Sequence, residues 1–476
     1  MKSSTIKEII KLKDRGYNLI SIGYLGSKMV QYTLFNYLTK QYKNKFLIAK
    51  LDRSYPSIEN FYPNAKIFEY EVNQSTKKEI IEIKKPAIGK WELRGPPKTS
   101  NFNFEFYVKG ESVIKVETEL GFSYRTIEAN LKTRAVNEVP NILANICGFC
   151  STGHTLAYCL MLESMMGITD QITERTNLLR ILFSEVERIL NHLLWIGISV
   201  SSVGLNEFMS KFFKIRKKIE DVFVTIKKTT SLNRIGGINA NIDKLPHLST
   251  ILKFMQEEIL DIEFHIEYEL LRDYTKNVSR LTQNEMENIG AVGPIARSSN
   301  IAIDVRSDRP YSGYLIKEYQ PIVVKGGDLF SIIQIKFSEI VSSINLSLDI
   351  MDNLPSGNTK IEYQLMENGN IVQSWVEAPS GILQYTGRIK KGRLDQLHIN
   401  VPTINNLMPM IYRFKKSELM YLPMILRGID MGYDPNDNLT FVDLNNDRIK
   451  QITGFELTKK SAQAIKHSIS LKFSDL

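Results

Sequence analysis

Apolar residues recur through one stretch of this chain at spacings of four, four, three and four: Leu178, Leu182, Val186, Ile189 and Leu193. That period is the stripe of a helix facing a core. Arg175, Glu185, Glu187, Arg188 and His192 sit on or beside the stripe. A helix that carries charges into a core needs neighbours to cover its apolar face and to pair those charges. The pattern stays mainly helical from about residue 127 to 351, with further long helices expected over 212–228 and 248–274. Consecutive long helices predict a bundle.

The flanks read differently. Residues 102–124 alternate as Phe102, Phe104, Phe106 and Val108, then Val113, Lys115 and Glu117, with a turn at Lys109-Gly-Glu111. This is the two-residue period of a β-hairpin. Strands are also expected over 371–376, 383–389 and 397–401, with a helical piece near Asn405. Residues 1–80 read as a small α/β unit: a helix over 6–12, a strand over 17–24 and another over 46–51. Lys84-Lys-Pro86 and Gly95-Pro-Pro97 break up the next stretch, so 81–100 reads as a linker and 101–476 as the main domain. The expected fold is α+β: a central helical bundle with β-rich flanks and a small N-terminal α/β unit.

Of 476 residues, 43% are hydrophobic and 24% charged, which excludes wholesale disorder. The net charge of +9 is spread along the chain in short clusters such as Lys214-Ile-Arg-Lys-Lys218, which favours a solvated or partner-facing surface over a nucleic-acid groove. The charged start does not read as a signal peptide. No run reaches the ~18 apolar residues of a membrane helix, so a soluble or membrane-peripheral chain is expected.

Chemistry concentrates in Ile146-Cys-Gly-Phe-Cys-Ser-Thr-Gly-His154. Cys147 and Cys150 have the spacing of a metal half-site or a redox dithiol, and inert buried cysteines remain a third reading. A helix starting near Ser151 would bring its positive end to Cys150 and lower a thiol pKa. His154, one turn on, would share that face. Cys159 falls on another face.

Several segments are similar, in order, to the large subunits of NiFe hydrogenases and of respiratory complex I. Gly121-Phe-Ser-Tyr-Arg-Thr-Ile-Glu128 resembles a GYxHRGxE stretch, and the cysteine segment resembles RICGxCxxxH. Glu174 to His192 resembles an RAxxLRxxxxELERIxNH helix. Arg234-Ile-Gly-Gly237 resembles a Gly-Gly turn. Gly293-Pro-Ile-Ala-Arg-Ser-Ser299 with Asp304-Val-Arg306 and Pro310-Tyr311 resembles GPxLRASGxxxDxRxxxPY. Gly327-Asp328, Glu339-Ile340 and Val376-Glu-Ala-Pro-Ser-Gly381 come next. Tyr55 to Glu71 resembles the end of the small soluble subunit that neighbours this one in complex I.

The resemblance implies an oxidoreductase subunit of the hydrogenase or NADH-quinone oxidoreductase kind, peripheral on the cytoplasmic side of a membrane. It implies a partner subunit holding a 4Fe-4S cluster, a membrane arm of antiporter-like subunits, and no nucleic acid. It marks Cys147, Cys150, His154, Glu128 and Arg125 as candidate catalytic residues. Arg175, Glu185, Glu187, Arg188, His192, Asp304 and Arg306 are marked as a structural or proton-relay set.

The departures are as informative. A nickel–iron centre uses two cysteine pairs, and the second should lie where this chain reads Asp434-Pro-Asn-Asp-Asn-Leu439. Asn145 and Ser380 replace family arginines. The quinone-side histidine loop is reduced to Gly95-Pro-Pro97. The expectation is therefore no metal centre in this chain, Cys147 and Cys150 being the ligands if there is one, with quinone, sulfur compounds or protons left open as acceptor. Hydrogenase-related membrane complexes that keep one cysteine pair show a similar pattern. A non-catalytic coupling subunit and a quinone reductase with a rebuilt pocket are the alternatives.

Overall fold

The computed structural model describes residues 4–26, 29–48, 55–76, 81–82, 102–120, 127–148, 150–262, 265–365, 369–427, 438–446 and 448–476. The fold is α+β. Its centre is the 29-residue helix Glu174–Ser202, which the side chain of Thr173 caps by accepting from the Thr176 N–H. Asn206–Ile226 and Leu329–Asp352 pack along it, and Leu245–Asp261 closes the layer. All five stripe residues are buried. The helix expected over 248–274 is two, Leu245–Asp261 and Ile266–Thr275, because His265 has extended backbone.

Leu329–Asp352 has the length and apolarity of a membrane span, although no unbroken run of apolar residues marks it. It is a core helix here. Two thirds of its most apolar window is buried, and Lys336 and Glu339 on it face charged or polar partners.

Two sheets flank the bundle. Val372–Ala378, Gly381–Lys390 and Arg393–Asn400 form an antiparallel meander against which helix Ser151–Met166 lies. The hairpin Phe102–Lys109/Ser112–Leu120 forms as expected but gains two strands from the far end of the chain. Asn438–Asp443 runs parallel to Phe102–Lys109, and Arg448–Thr453 pairs outside it. Phe106 joins the layers, 5.2 Å from the Phe441 ring and 5.1 Å from that of Phe414.

The N-terminal helix Ser4–Asp14 covers a three-stranded antiparallel sheet, Tyr17–Gly26, Met29–Asn36 and Gln41–Ile48. Met29–Asn36 escapes sequence reading because almost every position is buried, so no alternation shows. Two of its polar side chains form a chain of hydrogen bonds, Gln31 Nε2 donating to Thr33 Oγ1 at 2.9 Å and Thr33 Oγ1 to Asn44 Oδ1 at 3.0 Å. This unit has its own apolar cluster around Ile9, Leu19, Leu34 and Phe68, while Ile20, Phe35 and Ile67 join the main core. Of the expected linker 81–100, Ile81–Glu82 instead pairs as a short strand parallel to Tyr55–Pro56, and residues 83–100 lie outside the described residues.

Candidate functional site

Helix Val139–Leu143 delivers the chain to Cys147, and Cys150 is the cap residue of helix Ser151–Met166. Cys147 and Cys150 are joined in a disulfide, with their Cα atoms 5.6 Å apart. Cys159 is a free, buried thiol, and burial raises its pKa so that it stays protonated and unreactive.

The positive end of helix Ser151–Met166 is already occupied. Glu187, from the long central helix, accepts from Thr152 N at 2.8 Å, Gly153 N at 3.1 Å and Ser151 Oγ at 3.3 Å. This corrects the expectation that the helix dipole acts on a cysteine: a carboxylate from another helix takes that place. Burial nevertheless raises the Glu187 pKa above the ordinary carboxylate value, although the two backbone amides oppose it. Its charged form is thus held mainly by the helix terminus beside the disulfide.

His154 donates its backbone N–H to Cys150 O at 3.2 Å. Its ring turns to the sheet, with Nδ1 2.8 Å from Tyr385 Oη, and burial depresses its pKa to about 4. It is a neutral imidazole at neutral pH.

Glu128 stands apart from the cysteines. Its Oε1 accepts from Ile399 N at 2.8 Å and lies 3.3 Å from His398 Nδ1. Burial works against a charge on His398, but Glu128 and then Glu71 outweigh it and raise the pKa. The imidazole lies against the N-terminal sheet, where a Cβ on Gly23 would come within 2.1 Å of it. Only glycine fits there. Arg125 lies outside the described residues, as do Asp434 to Asp437 of the Asp434–Leu439 stretch where the resemblance puts a second thiol pair, and Gly95 to Pro97 of the shortened loop.

The relay candidates meet in the bundle, though not all of them. Arg306 grips Asp304 through Nε at 3.0 Å and Nη2 at 2.7 Å, and places Nη1 3.1 Å from Glu185. Arg188 Nε donates to Glu185 at 3.2 Å, and Tyr314 and Ser343 add hydroxyl donors to the same carboxylate. Sequence reading missed the other half of this cluster. Arg297 bonds Glu339 through Nε and Glu377 through Nη1, each at 2.8 Å, with Asp304 3.0 Å away. His192 Nε2 lies 2.9 Å from Glu339 and its Nδ1 3.4 Å from Lys336 Nζ. Arg297, Glu339 and Glu377 all stood inside the segments that carried the resemblance, so position in those blocks was the available signal.

Two candidates fall elsewhere. Glu187 caps the cysteine helix as described. Arg175 donates to Pro355 O at the bundle edge, and it is Arg180 that makes the buried pair, both its Nη atoms on Glu163 at 2.9 and 2.6 Å. Helical phase explains the exchange: Arg180 lies on the buried side of its helix, while Arg175 is next to the helix start.

Among the described residues the cluster holds three guanidiniums, of Arg188, Arg297 and Arg306, against four carboxyls, of Glu185, Asp304, Glu339 and Glu377. Burial disfavours every charge, so the surplus carboxyl should be the one that keeps its proton. Burial opposes ionisation of Glu185, but Arg188 and Arg306 overcome it and hold its pKa near 2. Glu339 and Asp304 are likewise held low by guanidiniums against burial. Glu377 differs: burial, with Asp304 next to it, raises its pKa to about 7. His192, for all its contact with Glu339, is driven down to about 3 by burial and Lys336, so that contact is a hydrogen bond from a neutral ring.

Against this geometry the comparisons are consistent. The family model for the respiratory-chain NADH dehydrogenase 49 Kd subunit matches residues 203–391. Formate hydrogenlyase subunit 5 of Escherichia coli (strain K12) is 27% identical over 369 residues, 76% of this chain and 64% of that protein. An NADH-quinone oxidoreductase subunit of Koribacter versatilis (strain Ellin345) is 25% identical over 263 residues, 54% of this chain and 65% of that one. The chain is a homologue of these subunits. It spans a little under two thirds of either relative. A chain in the structure of the membrane-bound sulfane sulfur reductase, an archaeal respiratory membrane complex, matches with a TM-score of 0.63 at 19% identity, covering 67% of this homologue and 90% of that chain. That last likeness establishes the fold.

Proposed function

We infer that this chain is the large subunit of a membrane-associated complex related to hydrogenases and NADH-quinone oxidoreductases, and that Cys147 and Cys150 are its redox element. One observation carries the reading. The two thiols at the hydrogenase-like position are bonded to each other at the mouth of a buried helix. A nickel–iron pair does not fit this donor set, since Asn436 and Leu439 stand where the other two thiolates belong. A disulfide is itself a two-electron acceptor. Two electrons and two protons open it to a dithiol, and an acceptor that takes both closes it again.

Electrons would arrive from a partner's iron–sulfur cluster, as the relatives' membership of multi-subunit respiratory complexes supports. Glu187, the acid that caps the helix start and whose pKa burial raises, would hold a proton for the opened pair, while the His154 ring is turned to Tyr385 and stays neutral. The buried cluster between this helix and the bundle favours a second, compatible role, coupling to a membrane arm, with Glu377 as the group that titrates near neutrality.

The test is Cys147→Ala with Cys150→Ala in the purified complex. Assembly should persist while electron transfer to the acceptor is lost, and elemental analysis of the parent complex should find no stoichiometric nickel. Unchanged turnover in the double variant would remove the chemistry from this pair and leave the coupling role alone.

A further inference from the structure

A cleft of about 190 Å³ lies where three loops meet, lined among others by Arg280, Gln283, Ser299, Asn300, Lys325 and Gly326. None of these residues belongs to the cysteine turn or to the buried cluster. Backbone hydrogen bonds lock the loops together. Leu281 N donates to Gly327 O at 3.0 Å, Gly327 N to Ser298 O at 2.8 Å and Asn300 N to Val324 O at 2.7 Å. Gly327 has φ +72°, and a Cβ there would come within 2.2 Å of Leu281 O, so only glycine fits. Asn300 is itself left-handed, at φ +65°, and its Nδ2 donates to Gln283 Oε1 at 3.1 Å. The walls are therefore set before any ligand arrives.

The lining carries two cations and no acid. These are Arg280 and Lys325, and among the described residues neither side chain makes a hydrogen bond or an ion pair. Acids on the adjoining helix are engaged elsewhere. Glu285 accepts from Lys416 Nζ at 2.7 Å and from Thr282 N at 2.8 Å, and Glu287 accepts from Gln283 Nε2 at 2.9 Å. A third cation joins two of the walls from the buried side. Arg413 Nη1 donates to Ser279 O at 2.8 Å and to Gly327 O at 2.9 Å, while its Nε and Nη2 have no acceptor among the described residues. Asp328, the acid that offsets it, is already taken by Asn277 N and Ser331. Burial lowers the Arg413 pKa to about 10, so it stays charged at neutral pH. Like charges gathered in one place repel until an anion comes between them.

Size and charge select the ligand. The cleft is smaller than the ~300 Å³ of an ordinary small-molecule pocket, so it takes one small group. A guanidinium fork and an ammonium in one cleft match a doubly charged oxyanion, and a phosphate monoester carries about −1.5 to −2 at pH 7. A carboxylate or a phosphodiester brings one charge and leaves one cation unpaired. We propose that the Arg280–Lys325 cleft binds one dianionic phosphate group, free or at the end of a larger molecule. The wall at Ser299 follows closely on Arg297, whose carbonyl accepts from Val324 N at 3.0 Å. A phosphate held there also steadies the loop that carries one guanidinium of the buried cluster.

The experiment is equilibrium dialysis of the purified complex against radiolabelled inorganic phosphate, with thermal unfolding of each variant as a fold control. Saturable binding of one phosphate per chain is expected, and added phosphate should raise the unfolding temperature. Arg280→Gln should weaken binding by about tenfold or more, and Lys325→Gln should weaken it too, each unfolding normally without phosphate. Binding should fall below about pH 6, where phosphate loses its second charge. Acetate at the same concentration should not displace it. Co-sedimentation with phosphatidylcholine vesicles containing phosphatidic acid, lost in Arg280→Gln, would assign the phosphate to a lipid. Phosphate binding without co-sedimentation would assign it to a soluble molecule, and either result upholds the site. Equal binding by the variant that combines Arg280→Gln with Lys325→Gln, displacement by acetate, or no saturable binding at all overturns the proposal.

Discussion

The buried charge cluster and the cysteine turn both draw on the helix Glu174–Ser202, yet they are built in opposite ways. In the cluster every carboxylate meets a guanidinium at 2.7–3.2 Å, and hydroxyls of Tyr314, Ser343 and Tyr319 fill further sites. In the cysteine turn the helix terminus is held by one borrowed carboxylate, Glu187, whose pKa burial raises. The first arrangement resists change. The second has chemistry to spare. Residues that look alike in sequence, charged and clustered, therefore separate into a clamp and a working surface once their pairing is known.

Three variants test that division. Glu185→Gln should have the largest effect on stability, because it leaves Arg188 and Arg306 buried with their shared carboxylate gone. A loss of about 3–5 kcal/mol is expected from urea unfolding. A loss below about 1 kcal/mol would show that the cluster is no clamp. Removing both Cys147 and Cys150 should cost less, about 2 kcal/mol or under, since the disulfide closes a very short loop.

Glu377→Gln should cost least, under about 1 kcal/mol at neutral pH, because with a pKa of about 7 roughly half of the side chain is already the neutral acid there. Its signature is in pH. The folded pKa of Glu377 is raised to about 7 from an ordinary 4.5, so its contribution is complete below 4.5 and is lost as pH rises through 7. The parent protein should lose stability across that window, and the Gln variant should lose less. Parallel pH profiles would return Glu377 to the paired carboxylates and remove the one titrating member of the cluster.

Periodicity made some parts of the molecule legible. The hairpin at Phe102 buries alternate residues, so its period survives in the sequence, whereas the long central helix is buried nearly all round and was legible from the spacing of its apolar residues. Met29–Asn36 lost its period by being buried on both sides. Asn438–Asp443 could not be assigned to the first hairpin because its partner, Phe102–Lys109, lies near the opposite end of the chain. In the site, spacing identified the cysteine pair and the start of its helix. Spacing could not show that Glu187 from another helix caps that start, nor that Arg297, Glu339 and Glu377 complete the cluster, because a cross-chain contact leaves no local period. Arg175 and Arg180, five residues apart, differ by more than one turn of helix, and burial alone decided between them.

The parallel pairing of Leu439 with Phe104 also sets a timetable. During synthesis the Phe102 hairpin emerges early with one edge bare, and it stays so until nearly the whole chain has been made. At ribosomal rates of ~5–20 residues per second that wait is on the order of tens of seconds. Phe106 has neither Phe414 nor Phe441 against it in the meantime. An unsheltered strand edge of this kind is where nascent chains stick to one another. A chain cut short before Asn438 therefore keeps that edge of the Phe102 hairpin bare, which makes it prone to edge-to-edge association.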